Sequence, residues 1–511
     1  MTSVIVLAAA GIASMFVGVF NIKRLALPLV LLACLAALGI IIMHYNGGYE
    51  NLMHNMLAFD AYSYGFSVIM ILLTMGILVI SNFYYRNNIE HLSDIYALFI
   101  FSLIGGILLC AYNSLVMLFL GIEILSIPLY ILAASNRRNL FSNEAGLKYF
   151  LMGSFASCFL LLGITFIYGT AQTFDLQEIA AYVNANPGNL SPLFVTGCVL
   201  ILGAFIFKIS AVPFHFWAPD VYQGSPTVVT AFMATVVKTA AFGGLIRFIN
   251  GTIFPETAIW TDILTVVAIL TLIGGNILAL YQTNLKRLLA YSGIANAGYI
   301  LVAVATLNEN AYTYILYYLA AYGVGSMLAF TVYFIVKDQT GVDTIAGLRG
   351  LFAKNKFLAT VLAIAMLSLA GIPPLAGFFG KYAIFVNAIG ANEIKLVIVA
   401  ILTSLIGVYY YLRVMSTAMS AGDEIPELDI HLSYKIVLTI GVIILLALGI
   451  MPDLFSNILL CRLMLNSIKN NGTSFYSLTF IFRKITFYEK TNSIYPCSLS
   501  YCNYGFGLSI V

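Results

Sequence analysis

Long apolar runs separated by short polar segments dominate the hydrophobic pattern of this chain. Many of these runs reach 18 residues or more, the length that an α-helix needs to cross a lipid bilayer. The alternating strands typical of a membrane β-barrel are absent. We therefore predict an all-α polytopic membrane protein with about fourteen transmembrane helices, numbered here 1 to 14, at residues 3–20, 25–43, 60–81, 95–111, 113–134, 142–168, 192–222, 227–249, 258–281, 285–307, 311–337, 356–390, 393–417 and 433–452.

The charges in the loops agree with this number of helices. The loops after predicted helices 2, 4, 6 and 10 carry no Lys or Arg. By the positive-inside rule, the odd-numbered loops are then cytoplasmic, and both termini lie on the outer, periplasmic side. Arg247 and Lys395 are exceptions to the alternation. The basic residues that define it are Lys23, Arg24, Arg86, Arg137, Arg138, Lys286, Arg287, Lys337, Arg349, Lys354, Lys356, Arg413 and Lys435.

Two predicted helices contain a break. Helix 7 is interrupted at Pro213, in FKISAVPFHFWAPDVYQGSPT, and helix 12 at Pro373/Pro374, in LSLAGIPPLAGFFGKY. Each break has a lysine nearby, Lys208 and Lys381 respectively. A break exposes backbone groups that are tolerated only where protein or water satisfies them, so both breaks indicate functional positions.

The two breaks also indicate an internal repeat. If helices 4–8 and 9–13 form two five-helix units, each break falls in the fourth helix of its unit. Units with an odd number of helices lie in opposite orientations, which is the inverted-repeat plan of many transporters. The predicted organisation is helices 1–3 (1–94), the first repeat (95–250), the second repeat (251–420), helix 14 (421–468), and a Ser-, Asn- and Tyr-rich tail (469–511) that is interfacial or disordered.

Composition excludes several classes of function. Hydrophobic residues make up 61% of the chain and charged residues 9%, against about 25% charged residues in soluble proteins. The net charge of +3 argues against a nucleic-acid partner. No phosphate-binding GxxxxGK[ST] or GxGxxG motif is present, and the seven scattered cysteines offer no metal or cluster spacing. We therefore expect no cofactor in this chain, and any ion movement must be driven by chemistry elsewhere.

Four ionisable residues stand at membrane depth: Glu123, Lys208, Lys238 and Lys381. Each costs roughly 2.5–3.5 kcal/mol to insert, so their presence needs a reason. Snorkelling to the interface is one explanation, chiefly for Lys381, and structural ion pairs between helices are another. The functional explanation is a proton path, because burial favours a neutral lysine, a nearby carboxylate favours the charged form, and the group is loaded and unloaded as its partner moves.

Further polar residues allow two interpretations. Lys148 has Glu144 four residues before it, so an ordinary helical ion pair explains it as well as a role in the path. His215 follows the first break and either relays protons near neutral pH or hydrogen-bonds freed backbone groups. Asp60 and Asp220 lie at helix ends and fit capping or interfacial roles.

Three segments resemble a known family: FKISAVPFHFWAPDVYQGSPTVVTAF, NLKRLLAYSGIANAGY and GIPPLAGFFGKY are similar to the antiporter-like membrane subunits of respiratory complex I, the NADH-quinone oxidoreductase. YQGSPT and the lysine of GFFGKY favour the N-type over the L- and M-type subunits. The resemblance covers roughly residues 1–455. It implies that Glu123 and Lys208 form a pair and that Lys238 and Lys381 continue a hydrated polar axis.

The resemblance also implies partners and a location. Quinone reduction would drive proton translocation, with NADH, FMN and iron–sulfur clusters held by other subunits and no redox centre in this chain. Neighbouring antiporter-like and small membrane subunits and the lipid bilayer would surround it, in a bacterial inner membrane, since no transit peptide is apparent. Many relatives carry a histidine on helix 10 where this chain has Asn296. The alternatives are a subunit of a cation/proton antiporter and a structural subunit that does not pump.

Overall fold

The computed structural model describes residues 1–20, 22–44, 50–85, 91–252, 257–308, 311–422, 426 and 428–452. Helices account for most of this part of the chain, joined by short turns. They are α1 Thr2–Val19, α2 Ala26–His44, α3 Ala61–Tyr84, α4 Leu92–Ala111, α5 Leu115–Ala133, α6 Leu140–Ala171, α7 Leu176–Ala185, α8 Pro192–Lys208, α9 Trp217–Gly224, α10 Thr227–Phe232, α11 Lys238–Thr252, α12 Thr257–Leu280, α13 Leu285–Ala305, α14 Ala311–Thr340, α15 Leu351–Lys354, α16 Lys356–Ala370, α17 Ala376–Gly390, α18 Ile394–Met419 and α19 Leu432–Ile450.

Within the described residues, twelve helical segments are long and apolar enough to cross a membrane. They coincide with predicted helices 1–6, 8–11, 13 and 14. One of them, Thr227–Thr252, joins α10 and α11 through a π-helical turn at Met233–Val237. Two shorter apolar helices, α8 and α16, are the first halves of predicted helices 7 and 12. Both predicted breaks are present, between α8 and α9 and between α16 and α17.

Two elements depart from the predicted pattern. A short antiparallel hairpin pairs β1 (Glu50–Leu52) with β2 (Leu57–Phe59) in the connection between α2 and α3, which was predicted as a loop. The surface helix α7 occupies what was predicted as a loop, and Asp175 caps its first turn by accepting from the amide of Gln177 at 2.8 Å. Both elements are too short for hydrophobic periodicity to reveal. The predicted tail at 469–511 lies outside the described residues.

Burial separates central helices from peripheral ones. In the most apolar 18-residue window, all of Thr227–Thr252 and α14 and 94% of α13 are buried, against 33% of α6 and 28% of α19. Small residues allow close packing at the centre, since a Cβ atom at Gly275 of α12 would lie 2.6 Å from the amide nitrogen of Ala295 on α13. Lys238 therefore begins a helix that is enclosed by protein rather than by lipid.

Arg247 explains one exception to the loop-charge pattern. Its guanidinium forms an ion pair with Asp60 at 3.1 Å and donates to the carbonyl oxygens of Tyr112 at 2.6 Å, Cys110 at 3.0 Å and Ala58 at 3.2 Å. Asp60 also caps α3 in a capping box. Because this arginine joins α3, β2, α11 and the α4–α5 connection, it is a structural charge rather than a topological one.

Replacing Arg247 with Met is expected to destabilise the subunit by about 3 kcal/mol, because it leaves Asp60 and three carbonyl groups without their donor. The measurement is the amount of this subunit retained in membrane complexes solubilised with detergent. Arg137→Met, at an exposed loop position, is the matched control and should have no effect. Equal retention of the two variants would contradict the structural role.

Candidate functional site

Lys208 is the last residue of α8 and lies at the first break. Its Nζ donates to Ser126 Oγ at 2.7 Å and to Tyr130 OH at 3.4 Å, both on α5. The side chain is buried, with 5% of the residue exposed. The first break therefore places an amine between two neutral hydroxyls at the α5–α8 interface.

Glu123 lies on α5, one turn before Ser126. Its Oε1 accepts a hydrogen bond from Ser157 Oγ of α6 at 2.5 Å, and within the described residues it forms no ion pair with Lys208. Glu123 is half-buried, beside the exposed side chains of Leu120 and Ile127. Lys208 therefore contacts α5 at Ser126, one turn after Glu123, but Lys208 and Glu123 are not in direct contact.

The backbone freed by the first break is satisfied by side chains. Trp217 Nε1 donates to the carbonyl oxygen of Phe207 at 3.1 Å, and Thr271 Oγ1 accepts from the amide of Val212 at 3.0 Å. His215 is buried, but neither ring nitrogen has good hydrogen-bond geometry with a described residue, the Pro213 backbone being the nearby polar group. Trp217 and Thr271 therefore satisfy backbone groups on the two sides of the break.

Lys238 follows the π-helical turn and points towards α13. Its Nζ donates to the carbonyl oxygen of Gly293 at 2.6 Å and lies 5.7 Å from the centroid of the Tyr322 ring. Only 2% of the residue is exposed. A π-helical turn changes the rotation of the residues that follow it and is frequent at functional sites. Here it precedes the central buried amine.

Lys381 lies on α17, beyond the second break. Its Nζ donates to the carbonyl oxygens of Leu369 at 3.0 Å and Ala370 at 2.9 Å, at the end of α16. The same atom lies 4.6 Å from the ring centroid of Tyr299. Since 6% of the residue is exposed, the amine is held inside the protein by the break itself and does not snorkel.

Between Lys238 and Lys381 lies a set of polar side chains that the sequence analysis did not assign. We call Ser292, Asn296, Tyr318 and Tyr411 the Asn296 cluster. Tyr318 OH donates to Asn296 Oδ1 at 2.6 Å, Asn296 Nδ2 donates to Tyr411 OH at 3.1 Å, and Tyr411 OH is hydrogen-bonded to Ser292 Oγ. In the sequence, only Asn296 had been singled out, as the residue that stands where many relatives carry a histidine.

Lys148 belongs to a different network. It forms ion pairs with Glu144 at 2.6 Å and with Asp220 at 3.1 Å, and Asp220 is also paired with Arg287 at 2.7 Å. The Lys148 side chain is 43% exposed. This half-exposed network joins α6, α9 and α13 and contacts none of the three buried amines, so the structure does not bring Lys148 together with Lys208, Lys238 and Lys381.

Lys286, which the sequence analysis counted as a loop charge, is a buried lysine. It lies in the first turn of α13 with 2% of the residue exposed, and its Nζ donates to the carbonyl oxygens of Ser225 and Gln223. It therefore anchors the connection that follows α9. Within the described ranges, no group of three or more His, Cys, Asp or Glu side chains is arranged to hold a metal ion.

Comparisons with known proteins identify the family. Residues 112–407, more than half of the chain, match the family described as "NADH:quinone oxidoreductase/Mrp antiporter, TM". The chain is 39% identical over 461 residues to NADH-quinone oxidoreductase subunit N of Cytophaga hutchinsonii, covering 90% of this chain and 99% of that protein. This chain belongs to the subunit N family of NADH-quinone oxidoreductase.

A solved structure of respiratory complex I contains a chain with the same fold. The fold is similar to a chain of respiratory complex I from Thermus thermophilus, with a TM-score of 0.73 and 32% identity over 88% of this chain and 98% of that chain. A chain of the Mrp complex from Dietzia sp. DQ12-45-1b gives a TM-score of 0.79 at 19% identity, covering 91% and 98% of the two chains, and so shows a shared fold alone. The chain is a multi-pass membrane subunit of bacterial complex I, and the antiporter alternative is set aside.

Proposed function

We propose that this subunit translocates protons across the membrane, through a path that includes Glu123, Lys208, Lys238 and Lys381. The observation that supports it is the burial of three lysines in apolar helices. Among the described residues, none of the three has a carboxylate within 4.0 Å. A structural ion pair therefore does not account for their presence.

The chemistry of these contacts suits proton exchange. Hydroxyl and carbonyl oxygens stabilise an ammonium group by hydrogen bonds but do not fix it in the charged state as an adjacent carboxylate does. A lysine amine can therefore be charged or neutral according to small changes around it. Under this proposal Glu123, one turn before the Ser126 that binds Lys208, imposes such a change through its charge.

The proposed topology has fourteen membrane passes, formed by the twelve spans and the two broken helices. The helices numbered 4–8 and 9–13 in the sequence prediction form the two inverted repeats. Pro-containing breaks that each have a buried lysine within hydrogen-bonding reach of an adjoining helix support this plan. The two lysines differ in position, since Lys208 precedes its break whereas Lys381 follows its own. They are therefore similar in function under this proposal without being equivalent in sequence order.

The proposal includes partners and location. NADH oxidation, FMN, iron–sulfur clusters and quinone reduction reside in other subunits and supply the driving force. Glu123 lies half-buried in an apolar, exposed face of α5, and a carboxylate there requires a protein neighbour, because lipid offers no hydrogen bonds. We assign this face to a neighbouring membrane subunit, antiporter-like or small. The membrane is the bacterial inner membrane, with both termini periplasmic.

The test uses the purified complex reconstituted in vesicles. Glu123→Ala is expected to reduce NADH-driven proton uptake at least about tenfold, because the group that controls Lys208 is lost, while the complex still assembles. Glu144→Ala, an exposed glutamate of α6, is the matched control. Unchanged proton uptake with Glu123→Ala would contradict the path. Purified complexes that lack FMN and iron–sulfur centres would contradict the assignment of the driving force.

A further inference from the structure

We infer that the hydroxyl groups of Tyr318 and Tyr411, held in place by Asn296, carry the proton between Lys238 and Lys381. This inference rests on the proposed function and names the residues of its central step. An amide neither binds nor releases a proton at neutral pH, whereas a phenol hydroxyl donates and accepts a hydrogen bond at the same time. Asn296 is accordingly a positioning residue, and the two phenols are the relay.

The geometry of the cluster fits this division of roles. Both polar atoms of the Asn296 amide are occupied, because Oδ1 accepts from Tyr318 OH and Nδ2 donates to Tyr411 OH and to the carbonyl oxygen of Ser292 at 2.8 Å. Tyr318, Tyr411 and Asn296 are buried, at 2%, 1% and 1% exposure. One amide thus fixes hydroxyls from α14 and α18 on its two sides.

Gly293, the residue after Ser292, connects the Asn296 cluster to Lys238. Lys238 binds the carbonyl oxygen of Gly293, and a Cβ atom at Gly293 would lie 3.3 Å from Lys238 Nζ and 3.0 Å from Tyr322 OH. The glycine therefore leaves room for both polar groups beside the backbone of α13. Tyr322 lies four residues after Tyr318, so both hydroxyls are on one face of α14.

The cluster reaches Lys381 on its other side. The Tyr318 ring packs against Gly380, where a Cβ atom would lie 2.5 Å from its Cδ2, directly beside Lys381 in sequence. A larger residue at 380 would push this ring away from α17. Tyr318 therefore spans the distance between the helix that carries Asn296 and the helix that carries Lys381.

A second set of hydrogen-bonded tyrosine hydroxyl groups extends from α18 towards Lys381. Tyr410, the neighbour of Tyr411, donates to Asn276 Oδ1 at 3.1 Å, and Asn276 Nδ2 donates to Tyr299 OH at 3.4 Å. The Tyr299 ring lies against Lys381. Asn276 repeats the arrangement at Asn296, with one amide holding two phenols.

The proton balance of the step is simple. The ammonium group of Lys238 loses one proton and the neutral amine of Lys381 gains one. Each hydroxyl between them accepts a proton on a lone pair and releases its own, so no tyrosine changes its net charge. Water molecules complete the steps that are longer than one hydrogen bond. Positive charge moves from α11 to α17, and the Asn296 amide keeps its protons throughout.

The test compares Tyr318→Phe, Tyr411→Phe and the double variant with Tyr317→Phe in the reconstituted complex. Tyr317 OH donates to the carbonyl oxygen of Leu448 at 2.8 Å, outside the cluster, and its variant should pump normally. We expect each single variant to slow NADH-driven proton uptake about tenfold, because a required hydroxyl is removed while the ring and its packing are kept. Normal proton uptake in the double variant would overturn the inference. If the double variant does not assemble, normal proton uptake in both single variants would overturn it instead.

A rescue separates relay from structure. Adding Asn296→His to Tyr411→Phe provides a side chain that titrates near neutral pH, and proton uptake should recover several-fold more at about pH 6.5 than at about pH 8. Slow uptake that the histidine leaves unchanged at both pH values would show that the hydroxyl is structural and would overturn the inference. If Lys238 variants stop pumping while the tyrosine variants pump normally, only this inference fails and the proposed function stands.

Discussion

Replacing Lys238 with Met is expected to slow NADH-driven proton uptake by about a hundredfold, the effect of removing a positioned acid–base group. Met has similar volume and flexibility, so the packing between α11 and α13 is kept, and the lost contacts are the hydrogen bond to the carbonyl oxygen of Gly293 and the contact with the Tyr322 ring. The measurement is dye-detected acidification of vesicles that contain the purified complex, together with the rate of NADH oxidation and the content of this subunit.

Lys286→Met is the matched control for Lys238→Met. Both lysines have 2% exposure and both donate to backbone carbonyl groups, but Lys286 lies at the start of α13 and contacts the connection after α9. Its replacement should lower the amount of subunit in the complex and leave the protons pumped per NADH unchanged. If the two variants lose pumping to the same extent relative to their subunit content, Lys238 has no special role in the path.

Lys381→Arg is expected to assemble normally and to stop pumping. The guanidinium keeps donors for the carbonyl groups of Leu369 and Ala370, but it stays charged at all physiological pH values and releases no proton. Lys381→Leu should behave differently, because it leaves two buried carbonyl groups unsatisfied at about 1–3 kcal/mol each, so the content of subunit in the complex should fall as well. The measurements are proton uptake and subunit content in the same preparations.

Lys356→Arg is the control for the arginine substitution, since it makes the same chemical change at an exposed position at the start of α16. It should change neither measurement. Normal pumping with Lys381→Arg would show that Lys381 serves only as a donor to the break, and would remove it from the path. Loss of assembly with Lys381→Arg would likewise assign it a purely structural role.

Local properties of the chain were sufficient to predict the membrane spans, the helix breaks and the buried charges. Apolar length and loop charge predicted the spans, because the bilayer imposes a length on every crossing helix. Pro213 and Pro373/Pro374 marked the breaks, since proline removes a helical donor. The cost of an ion in an apolar helix was enough to select Glu123, Lys208, Lys238 and Lys381, without knowledge of any contact.

The contacts of those residues depend on how the helices pack and could not be predicted from local properties. Arg247 looked like an irregular loop charge until α3 and the α4–α5 connection brought Asp60 and three carbonyl groups to it. Nothing in the sequence distinguishes the tyrosines of α14 and α18 from packing residues, because a tyrosine in an apolar run has the same pattern whether or not its hydroxyl contacts Asn296. Tyr318 and Tyr411 lie 22 and 115 residues from Asn296 and leave no periodic signal in the chain, so the meeting of α13, α14 and α18 at Asn296 is fixed by helix packing.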